Sequence, residues 1–172
     1  MATEFTDSLG RSWIVSLDFA AAKRIKASVK ITNEASEEIP FDIIDAGAIG
    51  LTMQALRSRY LTVGETMYAI CRPQADQKGV TEEQFLEGVV GDSLDDAADV
   101  IEDELVSFFP RSLREVAKVM FRKAKEVRAK ALQQAAENLD QAIEDSLAES
   151  GVLVTKRPEL SESILVAGAS ES

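Results

Sequence analysis

Asp95-Asp96-Ala97-Ala98-Asp99 is the stretch of this chain whose spelling comes nearest to catalytic chemistry. The D-D-x-x-D pattern can hold magnesium-diphosphate in helical synthases. Spacings of three and four put Asp92, Asp95, Asp96, Asp99 and Asp103 on adjoining rows of a helix, where hard carboxylates suit magnesium. That reaction also needs a second acidic motif across a deep helical cavity, and 172 residues are too few to build one. The chain has no histidine, which removes the usual general base near neutral pH and the commonest metal ligand. Its single cysteine, Cys71, can form neither an intrachain disulfide nor a multi-thiolate site, and it reads as a small buried apolar residue. Gly47 and Gly50 lack the third glycine of a dinucleotide loop, and no Gly-Lys-Ser/Thr occurs. We therefore expect no enzyme, no metal and no cofactor, with a magnesium-dependent activity of the acidic helix as the third reading.

Charge says more than chemistry does. There are 19 basic and 30 acidic residues, a formal charge of −11, which argues against a general nucleic-acid binder because phosphate contacts need positive surface. No segment approaches the ~20 apolar residues needed to span a bilayer. The start, MATEFTDSLG, has neither the basic nor the apolar region of a signal peptide, so the expected compartment is the cytoplasm.

The charges are also sorted along the chain. Ten acids and no base lie between Thr81 and Phe109. Eight bases against Glu115 and Glu126 lie between Arg111 and Lys130, and five acids and no base between Ala131 and Glu149. One reading folds the acidic helix against the basic half-helix at the Phe108-Phe109-Pro110 corner. The other has one or both faces dock a partner of opposite sign, including another copy of this chain. The basic run contains Phe121 but no aromatic interleaving, so a solvated or partner-facing run is the better reading than a nucleic-acid arm.

These segments need elements to position them. Trp13, Val15, Leu17 and Phe19 share one parity, which predicts a half-buried strand over 11–19 paired through the Asp7-Ser8-Leu9-Gly10 turn with the strand before it. Asp18 can cap a short helix reaching Lys26, and Val29-Lys30-Ile31 reads as a third strand of the same sheet. Residues 32–39 read as a polar loop ended by Pro40. Helices follow: one stopping near Tyr60, one capped by Thr62 and broken at Pro73, and one opened by the capping box Thr81 and Gln84. A fourth runs from Ser93 to Phe109. Ser112 to Leu147 contains no Gly or Pro and reads as a single helix of about ten turns. Its apolar stripe runs through Leu113, Val116, Met120, Ala124, Val127, Ala131, Ala135, Leu139, Ile143 and Leu147. The thin, alanine-rich second half is the pattern of a helix that needs a partner.

One set of letters is familiar. Cys71-Arg72-Pro73-Gln74-Ala75, Gly79 to Phe85, Gly91-Asp92-Ser93-Leu94 with Ala97-Ala98, Glu104-Leu105 and Phe108-Phe109-Pro110 stand together with Gly10-Arg11-Ser12-Trp13 near the start. Over about residues 4–130 the chain resembles the tail assembly chaperones of long-tailed bacteriophages. The resemblance implies a helical body that binds the tape measure protein and keeps that long chain soluble. It would leave as tube subunits polymerise, and such proteins often occur in a short and a frameshifted long form.

The expected fold is α+β and mainly helical: a small N-terminal antiparallel hairpin or sheet, then four or five helices, the last one long. The expected organisation is a compact body over 1–110, a long helix over 111–150 and a flexible tail over 151–172. The expected partner-binding residues are Val127, Ala131, Ala135, Leu139 and Ile143, with the basic patch Arg114, Lys118, Arg122 and Lys125 as runner-up. The expected partner is the tape measure protein or another tail protein, with neither nucleic acid nor membrane. A structural virion or oligomeric interaction protein is the alternative.

Overall fold

In the computed structural model, which describes residues 3–33 and 35–149, short strands lead into a set of helices. The expected flexible tail over 151–172 lies outside the described residues. Strands β1 (Thr3–Thr6) and β2 (Ser12–Val15) form an antiparallel hairpin with Phe5 opposite Trp13. Helix α1 (Phe19–Ser28) follows, capped by Asp18, whose carboxylate accepts from the Ala21 N–H at 2.7 Å. Strands β3 (Lys30–Thr32) and β4 (Glu38–Pro40) make a second hairpin. A 3₁₀ turn (Ala46–Ala48) then leads to α2 (Ile49–Ser58), α3 (Tyr60–Lys78), α4 (Glu82–Leu86), α5 (Asp92–Phe108) and α6 (Arg111–Glu149). The fold is mainly helical α+β, with its last helix long.

The chain divides into two units, Met1–Val127 and Arg128–Ser172. The first holds the core, in which Trp13, Phe41, Phe85, Ile25, Met67 and Ile101 are fully buried. Trp13 meets Phe85 edge-on at 4.7 Å between ring centroids, and the ammonium of Lys78 lies 4.4 Å above the indole. The start of α6 belongs to this unit because Ala117 and Phe121 are buried in it. The described part of the second unit is the remainder of α6, whose side chains from Ala129 to Leu147 are exposed.

An isolated hairpin is marginal in water, and β2 gains its support from α3. The Gln74 side chain accepts from the Ile14 N–H (2.9 Å) and donates to the Ile14 carbonyl (2.6 Å), while Lys78 donates to the Ser12 carbonyl (2.7 Å). Side chains of one helix therefore satisfy the open edge that a third strand would otherwise fill.

Several expectations are corrected. The second strand stops at Val15, and Phe19 instead opens α1, 69% exposed, with its ring 5.1 Å from that of Phe108. Residues 30–32 do not join the first sheet; they pair with Glu38–Pro40, drawn from what reads as a loop. Thr62 is no cap, because α3 already begins at Tyr60 and buries it. Nor does Pro73 break α3, which runs through it to Lys78. Gly79 ends that helix in the left-handed region (φ +67°), a conformation that costs glycine nothing.

Candidate partner-binding site

The acidic run is partly consumed by the fold. Glu104, buried on α5, accepts from the Thr3 hydroxyl at 2.7 Å and the Leu17 N–H at 3.3 Å, tying that helix to the first hairpin. Asp99 and Glu102 both receive the guanidinium of Arg57 from α2, Asp99 at 2.8 Å. Lys125 of α6 closes on the other oxygen of Asp99. One ion pair thus joins the acidic helix to the basic half-helix.

Around this junction lies a cleft of about 560 Å³, lined by Arg57, Asp99, Glu102, Lys118, Arg122 and Lys125 among others. Burial pushes the Glu102 carboxyl above its ordinary 4.5, and the Arg57 pairing offsets this only in part. Burial also acts upward on Asp99, but hydrogen bonds from Lys125 and Arg57 outweigh it and hold that carboxyl below 3.8. The Glu102 Oε1 and Arg57 Nε atoms are buried with no hydrogen-bond partner.

Three residues of the expected basic patch, Lys118, Arg122 and Lys125, line this cleft, and Arg114 does not. Arg114 donates to the Ser107 carbonyl at 3.1 Å and the Phe109 carbonyl at 3.2 Å, capping the end of α5. Lys118 pairs with Glu115 at 3.1 Å and Arg122 lies 4.0 Å from Glu126, both largely exposed. Exposed pairs of this kind contribute ~0–1 kcal/mol, so Lys118 and Arg122 remain available to a partner while Arg114 is committed.

Asp95 and Asp96 are exposed, Asp99 is held by two cations, and among the described residues no group of three or more acidic, cysteine or histidine side chains could hold a metal. Cys71 is fully buried, and that burial pushes its thiol up to about 12, so it is protonated near neutral pH. Among the described residues no helix is long and apolar enough to cross a membrane.

The apolar line of α6 behaves differently in its two halves. In the first, the buried side chains are Ala117 and Phe121, while Leu113 and Val116 of the expected stripe are exposed. Further on, Val127 (67%), Leu139 (61%) and Ile143 (48%) are exposed, as are Ala131 and Ala135. Steps of four run ahead of the helical period by about 40° each, so this line winds around the helix instead of following one face. Leu132, exposed at 59% and absent from the expected stripe, restores a face. At about 100° per residue, Leu132, Ala135, Ala136, Leu139 and Ile143 fall within one arc of about 100°. The signal for Leu132 was its spacing of seven from Leu139.

Arg57 is the other residue that pattern reading misses. It is an isolated base in an ordinary amphipathic helix, and its two acids lie more than forty positions away. No family model, curated protein or solved structure matches the chain.

Proposed function

We propose that this chain is a non-enzymatic tail assembly chaperone of the long-tailed phage type, which binds the tape measure protein during tail morphogenesis. The observation that carries the reading is the exposed apolar face of α6, with Leu139 and Ile143 turned to solvent. Large apolar side chains repeated at helical spacing and left uncovered are a partner site in waiting. A helical client lays its own apolar stripe along such a face, and a preformed helix loses little entropy when it does so. The charge of −11 keeps a complex with a long client soluble. The resemblance of residues 4–130 to these chaperones supplies the biological class.

The test is affinity purification of a tagged copy from its native background, with mass spectrometry of what co-elutes. A very long, helix-rich tape-measure-like chain supports the proposal. Recovery of capsid and tail subunits instead, with the protein present in purified particles, would replace it with a structural virion component.

A further inference from the structure

From the second half of α6 we infer the chemistry of the segment it takes: an amphipathic helix whose apolar stripe is flanked by lysine or arginine. The inference rests on the proposed chaperone reading for the biological source of that segment, and on the geometry of residues 131–147 for its chemistry.

Two observations meet on this half-helix. The first is the arc of Leu132, Ala135, Ala136, Leu139 and Ile143, exposed along its length. The polar side chains opposite bond to one another along the helix: Gln133 to Glu137 (2.9 Å), Gln134 to Asn138 (3.3 Å) and Gln141 to Asp145 (3.0 Å). The polar face is thus served within the helix, and the apolar arc is the side left for another molecule.

The second observation is the charge around that arc. At the same 100° per residue Asp140 and Glu144 lie along one flank of that arc, Asp140 next to Ile143, with Glu137 beyond them and Asp145 on the far side, and no base lies between Ala131 and Glu149. Glu137 and Asp140 are three apart, and Asp140 and Glu144 four apart, spacings at which like charges repel. The last turn of α6 holds no base either. The like charges along this flank therefore oppose the isolated helix. A local conflict of this kind, beside an exposed apolar arc, marks a site whose balance is restored by something bound. A helix with cations beside its apolar stripe sets them against Asp140 and Glu144 and relieves that repulsion, whereas an acidic helix adds to it.

The test uses the full chain and three synthetic helical peptides read by fluorescence anisotropy. One has a leucine stripe with lysine flanks, the second the same stripe with glutamate flanks, and the third the lysine composition with the stripe scrambled. The lysine-flanked peptide is expected to bind at least about tenfold more tightly than either other. Its binding is expected to weaken steeply toward about 0.5 M salt. Leu139→Asp with Ile143→Asp should abolish binding while the urea midpoint of Met1–Val127 stays that of the parent. Asp140→Lys and Glu144→Lys together should reverse the preference toward the glutamate-flanked peptide. Equal binding of the scrambled or glutamate-flanked peptide, or no binding, overturns the inference. So does sedimentation showing a stable dimer that the Leu139→Asp and Ile143→Asp pair dissociates, since a second copy would then be the occupant. If the peptides behave as expected but no tape-measure-like chain co-purifies, the chaperone reading fails and the face chemistry stands. If that chain co-purifies equally well with the charge-reversed variant, the reverse holds.

Discussion

The guanidinium of Arg24 caps the carbonyl that Pro73 leaves open. Pro73 has no N–H to give the Ala69 carbonyl four residues earlier, and Arg24 Nε donates to that oxygen at 2.8 Å while its Nη2 reaches the Ile70 carbonyl at 3.2 Å. This is how α3 passes through a proline and still carries Gln74 and Lys78 to the hairpin edge. Arg24→Met, which keeps the apolar stem, is expected to cost about 1–3 kcal/mol in urea unfolding. Pro73→Ala restores the missing N–H, so the double variant should recover part of that loss. Strictly additive effects would show that the two residues are not coupled.

A second relationship sits in the first turn. The buried Asp7 carboxylate accepts from the Trp13 indole at 3.0 Å, from Arg11 Nε at 2.6 Å and from the Leu9 and Arg11 amides. Burial raises its pKa, the donors more than reverse this, and the folded value lies below 3.8. A depressed carboxyl contributes stability that is complete above its unfolded value and lost as pH falls through the folded one. That contribution is therefore present above about pH 4 and disappears below it. Asp7→Asn should lower the melting temperature at pH 7 and flatten the acid limb; an unchanged limb would assign acid sensitivity elsewhere.

Gly88 makes the same turn testable by shape. A Cβ there would lie 2.4 Å from Arg11 Nη2 and 2.8 Å from Asp7 Oδ2, too close for both to stay in place. Gly88→Ala is expected to destabilise by about 1–3 kcal/mol, with loss of the Trp13 near-ultraviolet signal. A variant as stable as the parent would mean that the Arg11 side chain can move aside freely.

The Arg57 junction should respond to pH in the opposite sense to Asp7. Arg57→Met leaves Glu102 buried without its cation, a loss of about 3–5 kcal/mol at pH 7. Glu102 holds its proton more tightly folded than unfolded, so its ionisation weakens the fold as pH rises through the folded value. Lowering the pH toward 4.5 should therefore shrink the Arg57→Met deficit, measured as a urea midpoint against the parent. A deficit that stays constant from pH 7 to about pH 5 would contradict the assignment.

What could be read from the sequence was local. Thr81 and Gln84 form the reciprocal capping box their spacing announces, at 3.2 and 3.1 Å, and Asp18 caps α1 by the same short-range rule. The Pro110 corner and the long α6 follow from proline and its absence. Pro73 was misleading because its remedy, Arg24, lies outside any window read around it. Strand β4 was hidden because Glu38-Ile39-Pro40 has one apolar residue and its pairing is set by β3. At the site, the exposure of Leu139 and Ile143 was legible as a thin stripe. The face itself was not, since counting in fours omitted Leu132.

The central claim is that this face of α6 holds the client. The direct measurement is recovery of the co-purifying chain by tagged Leu139→Asp/Ile143→Asp protein, set against the parent under identical conditions. Both side chains are exposed and lie outside Met1–Val127, so the urea midpoint of that core should match the parent. The expected result is loss of the tape-measure-like chain from an intact protein. Undiminished recovery by the folded variant would contradict the account and move the client site off α6.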